Sequence, residues 1–87
     1  MIATTLQLAI ITPEKTLFEG NVRQVTLPGS AGSFQVLVHH APLVSTLEQG
    51  TILYREEQKE HSLAIEEGLV EVLNNRVTVL LTSTASC

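Results

Sequence analysis

Apolar and polar residues alternate with a period of two along most of this chain. Leu6, Leu8 and Ile10 are separated by single residues, and Val77 and Val79 repeat the spacing near the other end. Successive side chains of a β-strand point to opposite faces, so this spacing builds strands with one buried face. No apolar stripe with a helical period is longer than two turns. The pattern therefore predicts strands throughout the chain and no long helix.

Residues that favour turns separate the alternating runs. Thr12-Pro13, Pro28-Gly29 and Asn74-Asn75 stand at such points, and asparagine tolerates the positive φ angles of tight hairpins. The polar stretch 56–60 is typical of a solvated hairpin tip. Nine strands are predicted, at residues 5–11, 15–20, 22–27, 34–38, 43–47, 51–56, 60–66, 68–73 and 76–82.

The composition also favours a β protein. Thr, Val and Ile together make up more than a quarter of the 87 residues, and β-branched side chains suit pleated, half-buried surfaces. Short strands with a turn about every 8–12 residues are typical of a sandwich or a barrel. A chain of this length accommodates one domain, and it contains no linker or repeat. We therefore predict a single all-β domain over residues 1–87.

The charge excludes several classes of partner. The net charge is −4, with nine acidic residues that are all glutamate. The basic residues are scattered singly, at Lys15, Arg23, Arg55, Lys59 and Arg76. Nucleic acids and anionic lipids need clustered cations, so neither is an expected partner. No apolar run approaches the roughly 20 residues of a membrane span, and the single cysteine, Cys87, cannot form an internal disulfide. We expect an intracellular domain that reaches a membrane only through partner proteins.

His39 and His40 are the most conspicuous candidate ligands. Adjacent residues on a strand point to opposite faces, and no third ligand stands at a metal-site spacing, so no metal site is predicted. Pro42 restricts Ala41 to an extended conformation, which places His40 at a stiff, polar corner. Two interpretations of His40 remain open, namely contact with a partner and capping of this turn by its own ring.

No arrangement of residues indicates catalysis. Segment 28–33 contains two glycines but lacks the lysine and the following helix of a phosphate-binding loop, so we predict a turn between strands. No serine stands in a G-x-S-x-G context. The pairs Glu56-Glu57 and Glu66-Glu67 are expected to diverge on their strands, whereas acid–base catalysis needs convergent groups. We predict no enzyme activity and no catalytic, cofactor-binding or metal-binding residues.

The residues alone indicate a β domain that binds another macromolecule. Val38 and Val70 are apolar residues off the main alternation, and we expect them on outward faces. The alternative is a β-sandwich that binds a small ligand or a carbohydrate. Such a module needs an aromatic platform, for which the chain offers only Phe18, Phe34 and Tyr54.

Several segments, taken in order, resemble one known family. They are 12–20 (TPEKTLFEG), 25–29 (VTLPG), 32–37 (GSFQVL), 40–47 (HAPLVSTL) and 68–80 (GLVEVLNNRVTVL). Their order and spacing closely resemble the N-terminal domain of the epsilon subunit of F-type ATP synthases, called delta in mitochondria. The resemblance covers roughly residues 6–82.

The resemblance implies a flattened β-sandwich of two roughly five-stranded, mainly antiparallel sheets. It also implies a non-catalytic rotor subunit of the central stalk, which binds the gamma subunit and the c-ring and couples ion-driven rotation to ATP synthesis. Such a subunit is peripheral on the cytoplasmic side of the bacterial inner membrane. The loops that contact the c-ring in the family match Ser30, Ala31, Gly32, Ser33, Val38, His39, His40, Ala41 and Pro42.

Some positions depart from the pattern of this family. Gln35 stands where many relatives have glycine, and Val38-His39 replaces a frequent Pro-Gly. Ser33 replaces a carboxylate that would pair with an arginine of the ring, and 66–68 (Glu-Glu-Gly) replaces a turn of small residues. The typical subunit continues into a helical hairpin that inhibits ATP hydrolysis, and this sequence stops at Cys87, so we expect that inhibition to be absent.

Overall fold

The computed structural model describes residues 4–84, and their secondary structure is entirely β. The strands are β1 (Leu6–Ile11), β2 (Thr16–Val22), β3 (Gln24–Gly29), β4 (Gly32–Val36), β5 (Leu43–Leu47), β6 (Gly50–Glu56), β7 (Lys59–Leu73) and β8 (Arg76–Thr84). The all-β fold class is confirmed. Cys87 lies outside the described residues.

The eight strands form one connected sheet in the order β2-β1-β8-β7-β5-β3-β4, with β6 paired to both β3 and β7. Strand β7 runs through both halves of the fold, because 59–65 pairs with β6 whereas 68–73 pairs with β5 and β8. The expectation of two separate five-stranded sheets is corrected on this point. The pairs are antiparallel except for β1 and β8, which are parallel.

The connected sheet folds over on itself so that its apolar face is enclosed. Strands β2 and β6 are not hydrogen-bonded neighbours, yet the rings of Phe18 and Tyr54 lie 4.6 Å apart between them. This contact packs one edge of the sheet over the other half. The arrangement is therefore a sandwich whose two layers share a strand.

The core follows the alternation that is visible in the sequence. The residues with no exposed surface are Leu6, Leu8, Ile10, Val22, Val25, Leu27, Val36, Ile52, Ile65, Val70, Val77 and Val79. Burial of a side chain of this size contributes about 1.5–3 kcal/mol relative to an exposed one. The expected outward positions of Val70 and Val38 are wrong. The alternation of β7 changes just before Val70, and Val38 packs against the core.

Most turns occur where the sequence placed them, but the break predicted at residue 21 is wrong, because Gly20 and Asn21 pair with β1 and β2 continues to Val22. Asn74 and Asn75 join β7 to β8 with φ angles of 52° and 62°, the two positive values that a type I′ hairpin requires. Ser30 and Ala31 form the turn between β3 and β4, which confirms a turn at 28–33. The stretch 56–60 contains the two-residue turn between β6 and β7.

Candidate partner-binding surfaces

The hairpin tip 30–33 is fixed to the end of β5. The backbone N–H of Ser30 donates to the carbonyl of Thr46 at 3.0 Å, and the Thr46 hydroxyl donates to Ser30 Oγ at 2.8 Å. The N–H of Glu48 donates to the carbonyl of Pro28 at 2.9 Å. All four tip residues are exposed. The tip is therefore an exposed corner whose backbone is held in place.

The loop 38–42 lies beside the turn between β7 and β8. The N–H of His39 donates to Asn75 Oδ1 at 2.6 Å, and the N–H of His40 donates to the carbonyl of Leu37 at 3.1 Å. His40 Nδ1 lies 2.7 Å from the carbonyl oxygen of Ala41. This distance favours the interpretation in which the ring of His40 caps its own turn, because an Nδ1–H can donate to that oxygen. His39, Ala41 and Pro42 are exposed.

The structure does not bring these two segments together. The hairpin tip includes the first two residues of β4 and contacts the last residues of β5, whereas the loop follows β4 and contacts Asn75. Strand β4 extends from Gly32 to Val36, a length of about 13 Å at roughly 3.3 Å per residue. The nine predicted residues therefore form two corners at opposite ends of one strand.

An aromatic cluster closes the sandwich between β2 and β6. The rings of Tyr54 and His61 are stacked, with centroids 5.0 Å apart, and Phe18 covers Tyr54 at 4.6 Å. His61 Nε2 lies 2.7 Å from a carboxylate oxygen of Glu56. Burial raises the pKa of the Tyr54 hydroxyl above 10.0, and the negative charge of Glu56 raises this pKa further.

The rings of this cluster pack against one another, whereas a sugar-binding platform would need their faces exposed. Phe18, Phe34 and Tyr54 are all partly buried and pack against the core. Because aromatic recognition of a ligand needs accessible ring faces, nothing in the described chain favours the alternative of a carbohydrate-binding module. Within residues 4–84 there is no group of three or more His, Cys, Asp or Glu side chains that could hold a metal ion.

Sequence reasoning missed an open groove of about 700 Å³ between the end of β5 and the pair β7–β8. Glu66 and Glu67 both line this groove, although adjacent residues of a regular strand would diverge. The pairing register of β7 with β8 shifts between Ile65 and Glu67 and again between Glu67 and Gly68, which is an irregularity of the β-bulge kind. The expected divergence of this acidic pair is therefore wrong. The departure of 66–68 (Glu-Glu-Gly) from the family pattern was the sequence feature that could have indicated this irregularity.

The comparisons with known proteins agree with the fold. The family model described as the β-sandwich domain of the delta/epsilon chain of ATP synthase matches residues 5–86. The chain belongs to this family. The membership that was inferred from the segments along the sequence is confirmed.

Relatives of the delta/epsilon family are longer than the region that this chain matches. It is 41% identical over 80 residues to an ATP synthase epsilon chain of Leptospira borgpetersenii and 42% identical over 82 residues to one of Desulfosudis oleivorans. These matches cover 92% and 93% of this chain, but 63% and 62% of the relatives. The chain thus spans less than two thirds of the length of these epsilon chains.

Two solved structures share the fold. A chain of the Euglena gracilis mitochondrial ATP synthase, solved as an OSCP/F1/c-ring assembly, superimposes with a TM-score of 0.90 at 19% identity. It covers 98% of this chain and 55% of its own length. A chain of the Tetrahymena thermophila central stalk and c-ring gives a TM-score of 0.77 at 14% identity, with 95% and 67% covered. Within residues 4–84, no helix could cross a membrane.

The turn at Val38-His39 has a backbone geometry that would suit Pro-Gly. His39 has a φ angle of 70°, and the N–H of His40 bonds to the carbonyl of Leu37. This is the pattern of a type II turn, which favours proline at its second position and glycine at its third because the third needs a positive φ. This chain therefore has a histidine where the backbone favours glycine.

We expect His39→Gly to raise the free energy of unfolding by about 0.5–1 kcal/mol, because it relieves the strain of a left-handed residue with a Cβ. Urea-induced unfolding followed by circular dichroism measures this change. The matched control is His39→Ala, which retains a Cβ at the same φ and should bring no such gain. A loss of stability in the glycine variant would contradict the assignment of the turn.

Proposed function

We propose that this domain is the part of a central-stalk rotor subunit that binds the gamma subunit and the c-ring of an F-type ATP synthase. In this role it helps to couple ion-driven rotation to ATP synthesis and performs no catalysis itself. The observation that carries the proposal is the family match over residues 5–86. The fold neighbours from assemblies that contain a c-ring support it.

The architecture suits transmission of torque. Its strands are joined mostly by short turns, and the long strand β7 links both layers through paired ladders. Regions with buried backbone hydrogen bonds and dense packing open at a high free energy. A domain of this kind transmits force between two partners with little internal deformation. In this proposal its place is peripheral, on the cytoplasmic side of a bacterial inner membrane, and it is held there by its partners.

The proposed ring contacts are the two exposed corners at 30–33 and 38–42. Because they lie at opposite ends of β4, a ring that docks against one end of the domain meets one of them directly. Ser33 and His40 each represent one corner, so single substitutions separate their contributions.

The test is assembly of the protein with gamma and c-ring subunits purified from native membranes. We expect Ser33→Glu or His40→Ala, whichever corner faces the ring, to change ring affinity by about tenfold, equivalent to about 1.4 kcal/mol. The control is Thr51→Glu, an exposed residue on β6 away from both corners. The thermal midpoint of each variant shows whether folding has changed.

Two results would overturn the proposal. The first is the absence of gamma and c-ring subunits when the protein is used as bait on native membranes. The second is intact ATP-driven ion pumping in cells that lack the subunit. If both partners bind but neither corner variant changes ring affinity, the proposed contact residues are wrong and the rotor function stands.

A further inference from the structure

The open groove beside the bulge has exposed leucines on its floor. Leu69 on β7 and Leu80 on β8 are paired neighbours, 38% and 47% exposed. Leu81 completes the floor, and Ser30 and Thr46 form the wall nearest the hairpin tip. A volume of about 700 Å³ lies within the range of pockets that hold ligands of several residues or a drug-sized molecule. Solvation of this floor is costly, because each exposed leucine keeps apolar surface in water.

The rim of the groove is acidic. The bulge turns Glu66 and Glu67 into the same groove, and Glu48 stands on the β5 side. Among the described residues that line the groove there is no lysine or arginine. The Arg23–Glu57 salt bridge and the contact of His61 Nε2 with Glu56 use other carboxylates of the described residues. Three carboxylates therefore surround the exposed leucines without a cationic neighbour in the groove.

The bulge is the structural device that creates this rim. A Cβ on Gly68 would lie 2.6 Å from the carbonyl oxygen of Leu80, so β7 and β8 approach each other closely here. A regular strand would turn one of the two glutamates away from the groove. The extra residue of a bulge re-aims side chains, which is a common use of bulges beside functional sites.

We propose that this groove binds a basic, amphipathic segment of a partner protein. Aliphatic side chains of the segment cover Leu69 and Leu80, and its arginine or lysine side chains pair with Glu48, Glu66 and Glu67. Charge complementarity selects this occupant, because opposite potentials attract and like charges across an interface are costly. The proposal does not rest on the assignment of gamma or c-ring subunits as partners.

The same charges disfavour other occupants. Anionic lipid and nucleic acid would meet three carboxylates at the rim. A second copy of this chain offers only basic residues that are scattered singly, so it presents no matching cationic surface. A partner that carries clustered cations beside aliphatic side chains can pair with the carboxylates of the rim and cover the leucines of the floor.

The probe is a short synthetic peptide of leucine and arginine residues, titrated into the ¹⁵N-labelled protein and followed by NMR. We expect the largest chemical-shift changes at the amides of Glu66, Glu67, Leu69 and Leu80. A control peptide in which glutamate replaces every arginine should not bind. Added salt should weaken the binding of the arginine peptide.

Paired variants test the contribution of the rim. Glu66→Gln with Glu67→Gln should lower the affinity for the arginine peptide by about fivefold to tenfold, the effect of two exposed ion pairs. The matched control is Glu14→Gln with Glu60→Gln, which makes the same charge change at exposed positions outside the groove. The affinity of this control variant for the arginine peptide should remain within about twofold of that of the unmodified protein.

Three outcomes would overturn the proposal. They are no binding of the arginine peptide at millimolar concentration, equal binding of the glutamate peptide, and equal loss of affinity in the two paired variants. Leu80→Asn tests the apolar floor separately and should also weaken binding. Because this probe contains no ATP synthase subunit, its failure leaves the proposed rotor function untouched.

Discussion

Replacement of Ile65 with alanine is expected to lower the free energy of unfolding by about 2–5 kcal/mol, the range for large-to-small substitutions in a packed core. Ile65 has no exposed surface and lies where β7 passes from its ladder with β6 to its ladder with β8. A cavity here removes contacts from both halves of the fold. Urea unfolding at constant temperature measures the change.

The matched control for this experiment is Leu53→Ala. Leu53 is on β6, the neighbouring strand, and is 38% exposed, so we expect a smaller loss of about 1–2 kcal/mol. Ile65→Val removes a single methylene and should cost about 0.5–1.5 kcal/mol. This milder variant keeps the comparison measurable if the alanine variant fails to fold, and equal losses at Ile65 and Leu53 would contradict the shared core.

Replacement of Gly68 with alanine should lower the free energy of unfolding by about 1–3 kcal/mol. The added Cβ would lie 2.6 Å from the carbonyl oxygen of Leu80 and 2.8 Å from a methyl group of Leu81. Because one of these atoms belongs to the backbone, β7 and β8 must separate to make room. Urea unfolding reports the loss, and amide hydrogen exchange should show faster opening of the β7–β8 ladder near the substitution.

Gly20→Ala makes the same chemical change with a different expected result. Its Cβ would lie 3.3 Å from the tip of the Phe18 ring, and a side chain at a sheet edge can shift by a few tenths of an ångström. We expect a smaller loss than at Gly68. A larger loss at Gly20 would show that the close approach of β7 and β8 does not limit stability.

The sequence predicted most of the strands because their signal is local. One buried face imposes a period of two, which is visible at β1 as Leu6, Leu8 and Ile10. The Asn74-Asn75 turn was equally predictable, since few residues other than glycine adopt its positive φ angles readily. The division of residues 60–73 into two strands was wrong, because two glutamates and a glycine indicate a break whereas the bulge preserves the ladder.

The candidate surfaces were less predictable. The residues at 30–33 and 38–42 were predicted from the resemblance to a family. Their sequence pattern does not indicate the distance between the two segments. The groove was not foreseen, because the alternation rule sends Glu66 and Glu67 to opposite faces. A bulge breaks that rule through pairing with β8, a strand that follows later in the chain.

By itself, the sequence determined the all-β class, the positions of most turns, most of the buried residues and the family, because each depends on residue type and short-range spacing. Only the tertiary structure decided that the strands join into one sheet, that the two corners stand at opposite ends of β4, and that two adjacent carboxylates face one groove. These features depend on which strands pair and in what register. Such long-range choices are set by packing of the whole core and leave no local period in the sequence.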